Sequence, residues 1–168
     1  MFGKTVRRLS PLAAIAALLL VAEPASAAAS KPPEIQAFSV SVPAGNGCAF
    51  QLDITGTNGQ LTQISFKNGS FFNVGKGVLL TYTNHTTGKS YTVNTAGSVD
   101  RFVHNADGTY TAYLSGHNGY VYFSTDATGP RAIQYTGRLV VTTDSTLSNT
   151  LSVDFTSGQS VDICAALS

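Results

Sequence analysis

The chain has 168 residues, a formal net charge of +1, 43% hydrophobic residues and 11% charged ones. Its positive balance lies in the first 27 residues, where Lys4, Arg7 and Arg8, the apolar run Leu12 to Val21 and Ala25-Ser26-Ala27 follow the order of a secretory signal peptide. Setting aside those three cations and Glu23 leaves 141 residues with seven Lys+Arg against eight Asp+Glu, a net −1 that argues against electrostatically driven binding to nucleic acid or anionic membrane.

The apolar run is half the length of a membrane-spanning helix and no later segment comes closer, so the expectation is a secreted, extracellular protein with no stable membrane insertion after signal cleavage. Arg7-Arg8 raises the twin-arginine export route, although Val6 stands where that signal carries Ser or Thr. Beyond the signal the chain is rich in Thr, Ser, Gly, Asn and aromatics, with Glu34 as its single Glu, so strand and turn formers dominate.

Residues 28–34 are small, polar and Pro-rich, and read as a flexible lead-in. Residues 35–168 read as one all-β domain, an antiparallel β-barrel or β-sandwich of about 10–12 short strands, because alternation is broken by turn residues at regular intervals. The predicted strands are Gln36–Val42, Cys48–Ile54, Gln60–Phe66, Phe71–Val74, Val78–Thr83, Ser90–Asn94 and Val99–His104. Thr109–Ser115, Tyr120–Thr125, Ile133–Thr142, Thr150–Thr156 and Gln159–Cys164 complete the series. All of these strands except Ile133–Thr142 fall below the roughly nine to eleven residues of a membrane-spanning strand.

Turn chemistry sets several registers. A loop at Asn58-Gly59-Gln60 would place Ile54 opposite Ile64 and Leu52 opposite Phe66, with Cys48, Phe50, Leu52 and Ile54 inward. A loop at Ala106-Asp107-Gly108 places Phe102 opposite Ala112 and His104 opposite Tyr110 on the core side, with Gly108 supplying a positive φ. A tight turn at Asn118-Gly119 would pair Leu114 with Phe123 and collect Tyr113, Ser115, His117, Tyr120, Tyr122 and Ser124 on the opposite face. Cys48 and Cys164 have one available pairing, a disulfide enclosing 115 residues that ties the early sheet to the last strand.

The sequence has no Gly-x-Ser-x-Gly elbow, no His-Glu-x-x-His helix and no phosphate loop. The Asp residues sit mostly in turns, where Asp bonds its own backbone, so no catalytic residue, metal ligand or cofactor is assigned. Of the histidines, His85 reads as a solvated loop residue, His104 as a core residue satisfied by Tyr110, and His117 as the one beside the tyrosine face. Tyr113, His117, Tyr120 and Tyr122 are therefore the candidate ligand-binding residues, their rings offering flat amphipathic area; the competing reading buries the same rings under another layer. Asn68-Gly69-Ser70 and Asn84-His85-Thr86 match the glycosylation pattern of a eukaryotic host.

The stretch Thr83 to Asn94, the Asp107-Gly108 hairpin and the ending Val161 to Leu167 together resemble uncharacterised small secreted β-rich proteins of actinobacteria, over roughly residues 75–168. The resemblance implies export by a Gram-positive cell and a β-rich fold, and carries no catalytic residues. The functional expectation is a non-enzymatic extracellular binding or envelope-associated domain for a peptide, polymer or small molecule. The alternatives are a small-ligand carrier, whose barrel interior would have to be open rather than filled by Phe50, Phe66, Phe102 and Phe123, and a hydrolase or cyclase using His104 or His117 with an Asp.

Overall fold

Alternating apolar positions that cannot be covered within one sheet must find a second layer, and in a computed structural model they do so as two antiparallel sheets packed together as a β-sandwich. The structure describes residues 37–57 and 59–168, with the backbone of 34 and 35; the signal peptide and the lead-in up to residue 33 lie outside the described residues. The strands are β1 (Glu34–Ile35), β2 (Phe38–Val42), β3 (Leu52–Thr57), β4 (Gly59–Ser65), β5 (Phe71–Lys76) and β6 (Leu79–Asn84), followed by β7 (Ser90–Asn94), β8 (Val99–His104), β9 (Tyr110–Tyr122), β10 (Arg131–Thr143) and β11 (Thr150–Asp162). A short helix, α1 (Ile163–Leu167), ends the chain, its first turn capped by the Asp162 side chain accepting from Ala165 N.

The larger sheet runs β1-β4-β5-β8-β9-β10-β11 and the smaller β2-β3-β6-β7. The predicted hairpin at Ala106-Asp107-Gly108 forms in the expected register, Phe102 opposite Ala112 and His104 opposite Tyr110, with Gly108 at φ +87°. The expected pairing of Cys48–Ile54 with Gln60–Phe66 does not form. β3 pairs with β2 and β6 while β4 pairs with β1 and β5, so Leu52 faces Val42 and Asn84 rather than Phe66, and Ile54 faces Val40 and Tyr82 rather than Ile64. The chain changes layer between Thr57 and Gly59; Asn58, part of the expected loop, lies outside the described residues. Glu34, read as lead-in, belongs to β1 opposite Gln60.

The larger correction concerns strand length. Asn118-Gly119 is not a turn, and β9, β10 and β11 are 13-residue strands, so two pairs of expected short strands are fused. Their length removes the short-strand argument against a membrane-spanning barrel, although the sheet itself is open, with β1 and β11 at its edges. Three glycines of these strands stand side by side, Gly116 opposite Gly137 and Gly137 opposite Gly158. All three have positive φ, +99°, +140° and +90°. This row bends the sheet on itself, so that Ala112, Leu114, Leu139 and Val141 on one side of the bend share a core with Tyr122 and Tyr135 on the other.

On the reverse face of the same strands, beyond the bend, the smaller sheet closes a second core. Val42, Leu52, Leu80 and Tyr82 meet Ala132 of β10 and Ile163 and Leu167 of α1, with Cys48 buried among them and Phe50 and Ile54 packed against them. This agrees with the inward set expected from Cys48 to Ile54. The Tyr82 hydroxyl crosses the layers to donate to Gln134 Oε1 at 3.0 Å, and Gln134 Nε2 donates to Tyr135 O. Cys48 and Cys164 are disulfide-bonded, Cα atoms 5.3 Å apart, which fastens the approach to β3 onto α1.

Candidate functional site

The continuous β9 separates the four candidate binding residues. Side chains alternate along a strand, so Tyr113 and His117 lie on one face of β9 and Tyr120 and Tyr122 on the other. Tyr122 is fully buried, sharing a hydroxyl–hydroxyl hydrogen bond with Tyr135 at 3.0 Å, and Tyr120 bonds Thr150 Oγ1 at 2.9 Å. Burial pushes both phenols above their ordinary value. The expected common face of Tyr113, His117, Tyr120 and Tyr122 is thereby corrected: Tyr120 and Tyr122 line the inner core, because no reversal occurs at Asn118-Gly119. Leu114 accordingly faces Asp100 and Leu139, not Phe123.

Tyr113 belongs to a different assembly. Directly opposed residues in neighbouring strands share a face, and here six strands contribute one residue each to a single row: Ile64, Phe72, Arg101, Tyr113, Val140 and Phe155. The next row brings Val99, Ser115 and Arg138 beside it. The smaller sheet covers the other half of this face; in this half Ile64 is 48% exposed and Phe155 50%, Phe72 and Tyr113 are half-buried and Val140 is buried. Arg101 Cζ lies 5.7 Å from the centroids of both Phe72 and Tyr113, and Arg138 Cζ lies 5.5 Å from Tyr113. Phe66 meets Phe72 edge to face at 6.0 Å.

The result is a line of alternating rings and guanidiniums, Phe72–Arg101–Tyr113–Arg138. Two shallow depressions flank the Phe72–Arg101 pair, of about 420 Å³ towards Phe66 and Lys67 and about 380 Å³ towards Val99 and Arg138. Among the described residues the one ion pair joins His85 and Asp53, so neither arginine meets a carboxylate. Asp154, further along β11, instead accepts from Thr142 and Ser152. Guanidiniums stacked on aromatic faces keep their N–H edges directed outward, which suits an incoming anion.

The other expected residues are placed plainly. His117 Nδ1 contacts Thr136 Oγ1 at 3.2 Å. His104 packs on Tyr110 with centroids 5.0 Å apart, but is exposed rather than core-side, because the hairpin end extends past the covered part of the sheet. His85 is an exposed loop residue whose Nδ1 lies 2.8 Å from Asp53 Oδ2. Asn84, read as a glycosylation acceptor, is buried; its Nδ2 donates to Leu167 O and its Oδ1 accepts from Thr86 and Thr87 N, so it is a structural latch for α1. Phe66 and Phe123, placed in the interior by alternation, are 49% and 40% exposed.

Asp53 carries an acid-linked signal at the surface. Hydrogen bonds from Gln51, Ser41 and His85 lower its carboxyl from 3.8 to about 2. A carboxylate lowered in the folded state adds stability above its unfolded pKa and loses it on acidification. The stability difference between the protein and D53N is expected to be full above pH 3.8 and to close as pH falls through about 2, read from urea midpoints across that window.

Arg101, Arg138 and Phe72 were not singled out from the sequence. The hairpin register that set Phe102 opposite Ala112 also sets Arg101 opposite Tyr113, so one contact was available in advance. Phe72 and Arg138 enter through pairings between strands not joined by a short turn, which local turn chemistry does not specify. No protein-family model, curated protein or solved structure matches the chain.

Proposed function

We propose that the protein is a secreted, non-enzymatic binding domain whose open sheet face takes an acidic polysaccharide. The observation that carries this reading is the line Phe72–Arg101–Tyr113–Arg138, exposed at its arginines and half-buried at its rings, with neither guanidinium in an ion pair among the described residues. Acidic sugar rings present an apolar C–H face to Phe72 and Tyr113 and a carboxylate to an arginine fork, a geometry that favours Arg over Lys. An open surface with shallow depressions suits a chain passing across it better than an enclosed small molecule.

The disulfide and the signal-like start support an extracellular setting, as in the secreted actinobacterial proteins that the chain resembles. The carrier reading lacks a comparable observation, since Leu52, Tyr122, Leu139 and Val141 fill the space within the layers. For a hydrolase, His104 packs on Tyr110 and His117 contacts Thr136, and among the described residues neither is hydrogen-bonded to a carboxylate.

The test is titration calorimetry with polygalacturonate, with neutral dextran as control. Binding of polygalacturonate that weakens with salt is expected, and R101A/R138A should reduce affinity at least about tenfold, equivalent to about 1.4 kcal/mol. Equal binding of dextran, or an unaltered affinity in the double variant, would refute the proposal. Because both arginines are exposed, the variant should melt close to the parent.

A further inference from the structure

The larger sheet has a second polar feature where β5 and β8 part. β5 and β8 pair at three positions only, Phe71–Phe102, Phe72–Arg101 and Asn73–Asp100. Past the last of these the strands part. β5 continues to Lys76 alongside β4, while the chain before β8 is held aside by Thr95, whose N–H and hydroxyl both donate to Val78 O. Ser98 pins the same segment to β9, its Oγ donating to His117 O and accepting from His117 N, each at 2.9 Å. The gap between the diverging strands is a cleft of about 180 Å³, closed on its far side by Asn118 and Gly119.

Each of three side chains lining this cleft has one buried polar atom without a hydrogen-bond partner among the described residues. Asn73 Oδ1, Asp100 Oδ1 and Asn118 Nδ2 are shielded from solvent and without a partner, three of the five such buried atoms among the described residues. Native interiors leave few polar atoms in this state, and a concentration in one cleft asks for a functional explanation. Burial also raises the Asp100 carboxyl above its ordinary value. A group raised in the folded state contributes stability below its unfolded pKa and loses it as pH rises, so ionised Asp100 weakens the fold near neutrality.

We propose that this cleft is a binding site for one neutral sugar ring, separate from the arginine platform. Strand alternation turns Asn73 and Asp100 to the face opposite Phe72 and Arg101, since Asn73 follows Phe72 and Asp100 precedes Arg101 in sequence. The set offers two acceptors and one donor, and vicinal hydroxyls, each able to donate and accept, complement all three. A cationic ligand would suit Asp100 but not the Asn118 N–H or Lys76 on the wall, and an anion would meet the Asp100 carboxylate. Val74 and Val78 supply an apolar wall for the ring's C–H face. The volume lies below the roughly 300–1,000 Å³ of drug-sized pockets, which limits the occupant to a single ring or chain end.

The experiment is an amide NMR titration of the purified protein with glucose, galactose and N-acetylglucosamine, followed at Asn73, Val74, Asp100 and Asn118. At least one sugar is expected to shift these amides saturably. D100N and N118A should each weaken that sugar at least about tenfold, while R138A leaves it unchanged. D100N should also melt above the parent at neutral pH, so lost binding would not reflect lost folding. Failure of all three sugars to shift these amides at tens of millimolar would overturn the site, as would parental affinity in D100N and N118A. Polygalacturonate binding measured on D100N separates the two sites: it persists if the platform acts alone, whatever the fate of the cleft.

Discussion

C48A/C164A is expected to lose about 4–5 kcal/mol of stability in urea unfolding, the value for releasing a loop of over a hundred residues on the chain-entropy model. The sequence separation is 116, so nearly the whole domain lies inside the closed loop. The geometry adds a local consequence. α1 contributes Ile163 and Leu167 to the inter-layer core, both essentially without exposure, and is otherwise tethered by Asn84 Nδ2 donating to Leu167 O. Without the bond, amides of α1 and the end of β11 should exchange faster than those of the β9–β10 ladder. Matching results from the reduced parent and the double variant would attribute the loss to the cross-link. A loss below about 1 kcal/mol would show that the unfolded chain is already compact around those ends.

G137A is expected to be nearly as damaging, by about 3 kcal/mol or more. A Cβ there would stand 2.2 Å from the Ser157 carbonyl oxygen, at φ +140°. Neither partner can move without disturbing a ladder, so steric overlap adds to a backbone penalty of about 1–3 kcal/mol. Gly88 provides the control, because at φ +72° its added Cβ meets nothing within 4 Å, and G88A should cost only the left-handed penalty of about 1–2 kcal/mol. Thermal melts of the two variants side by side test the bend directly. Equal losses would mean that the row of glycines is incidental to the sheet's curvature.

These expectations show which features are local and which are not. Ser90–Asn94 and Val99–His104 were recognisable as strands to the residue, since alternation and flanking turn residues lie within a few positions of each other. The hairpin at Gly108 and the pairing of Cys48 with Cys164 were equally accessible, one from turn chemistry and the other because two cysteines allow one bond. Tyr113 was named as a binding residue and does stand on the open face, but its partners there are Phe72, Arg101 and Arg138 rather than Tyr120 and Tyr122. The tyrosines were grouped by an assumed reversal, and a continuous strand sends them to opposite faces.

Signal-like start, all-β composition, most strand positions and the disulfide thus follow from residues read in order, because propensity, alternation and turn chemistry act over short separations. The layer change between β3 and β4, the bend and both candidate sites depend on neighbours far apart in the chain. Gly116, Gly137 and Gly158 are spaced evenly, 21 residues apart, which is a visible regularity. Its meaning depends on pairing: beside a tight turn a glycine reverses the chain, whereas three glycines in register let backbones approach where any side chain would collide. That difference is set by what lies across the ladder, and it makes these three glycines the fold line that buries Tyr122 and leaves Tyr113 on the opposite face.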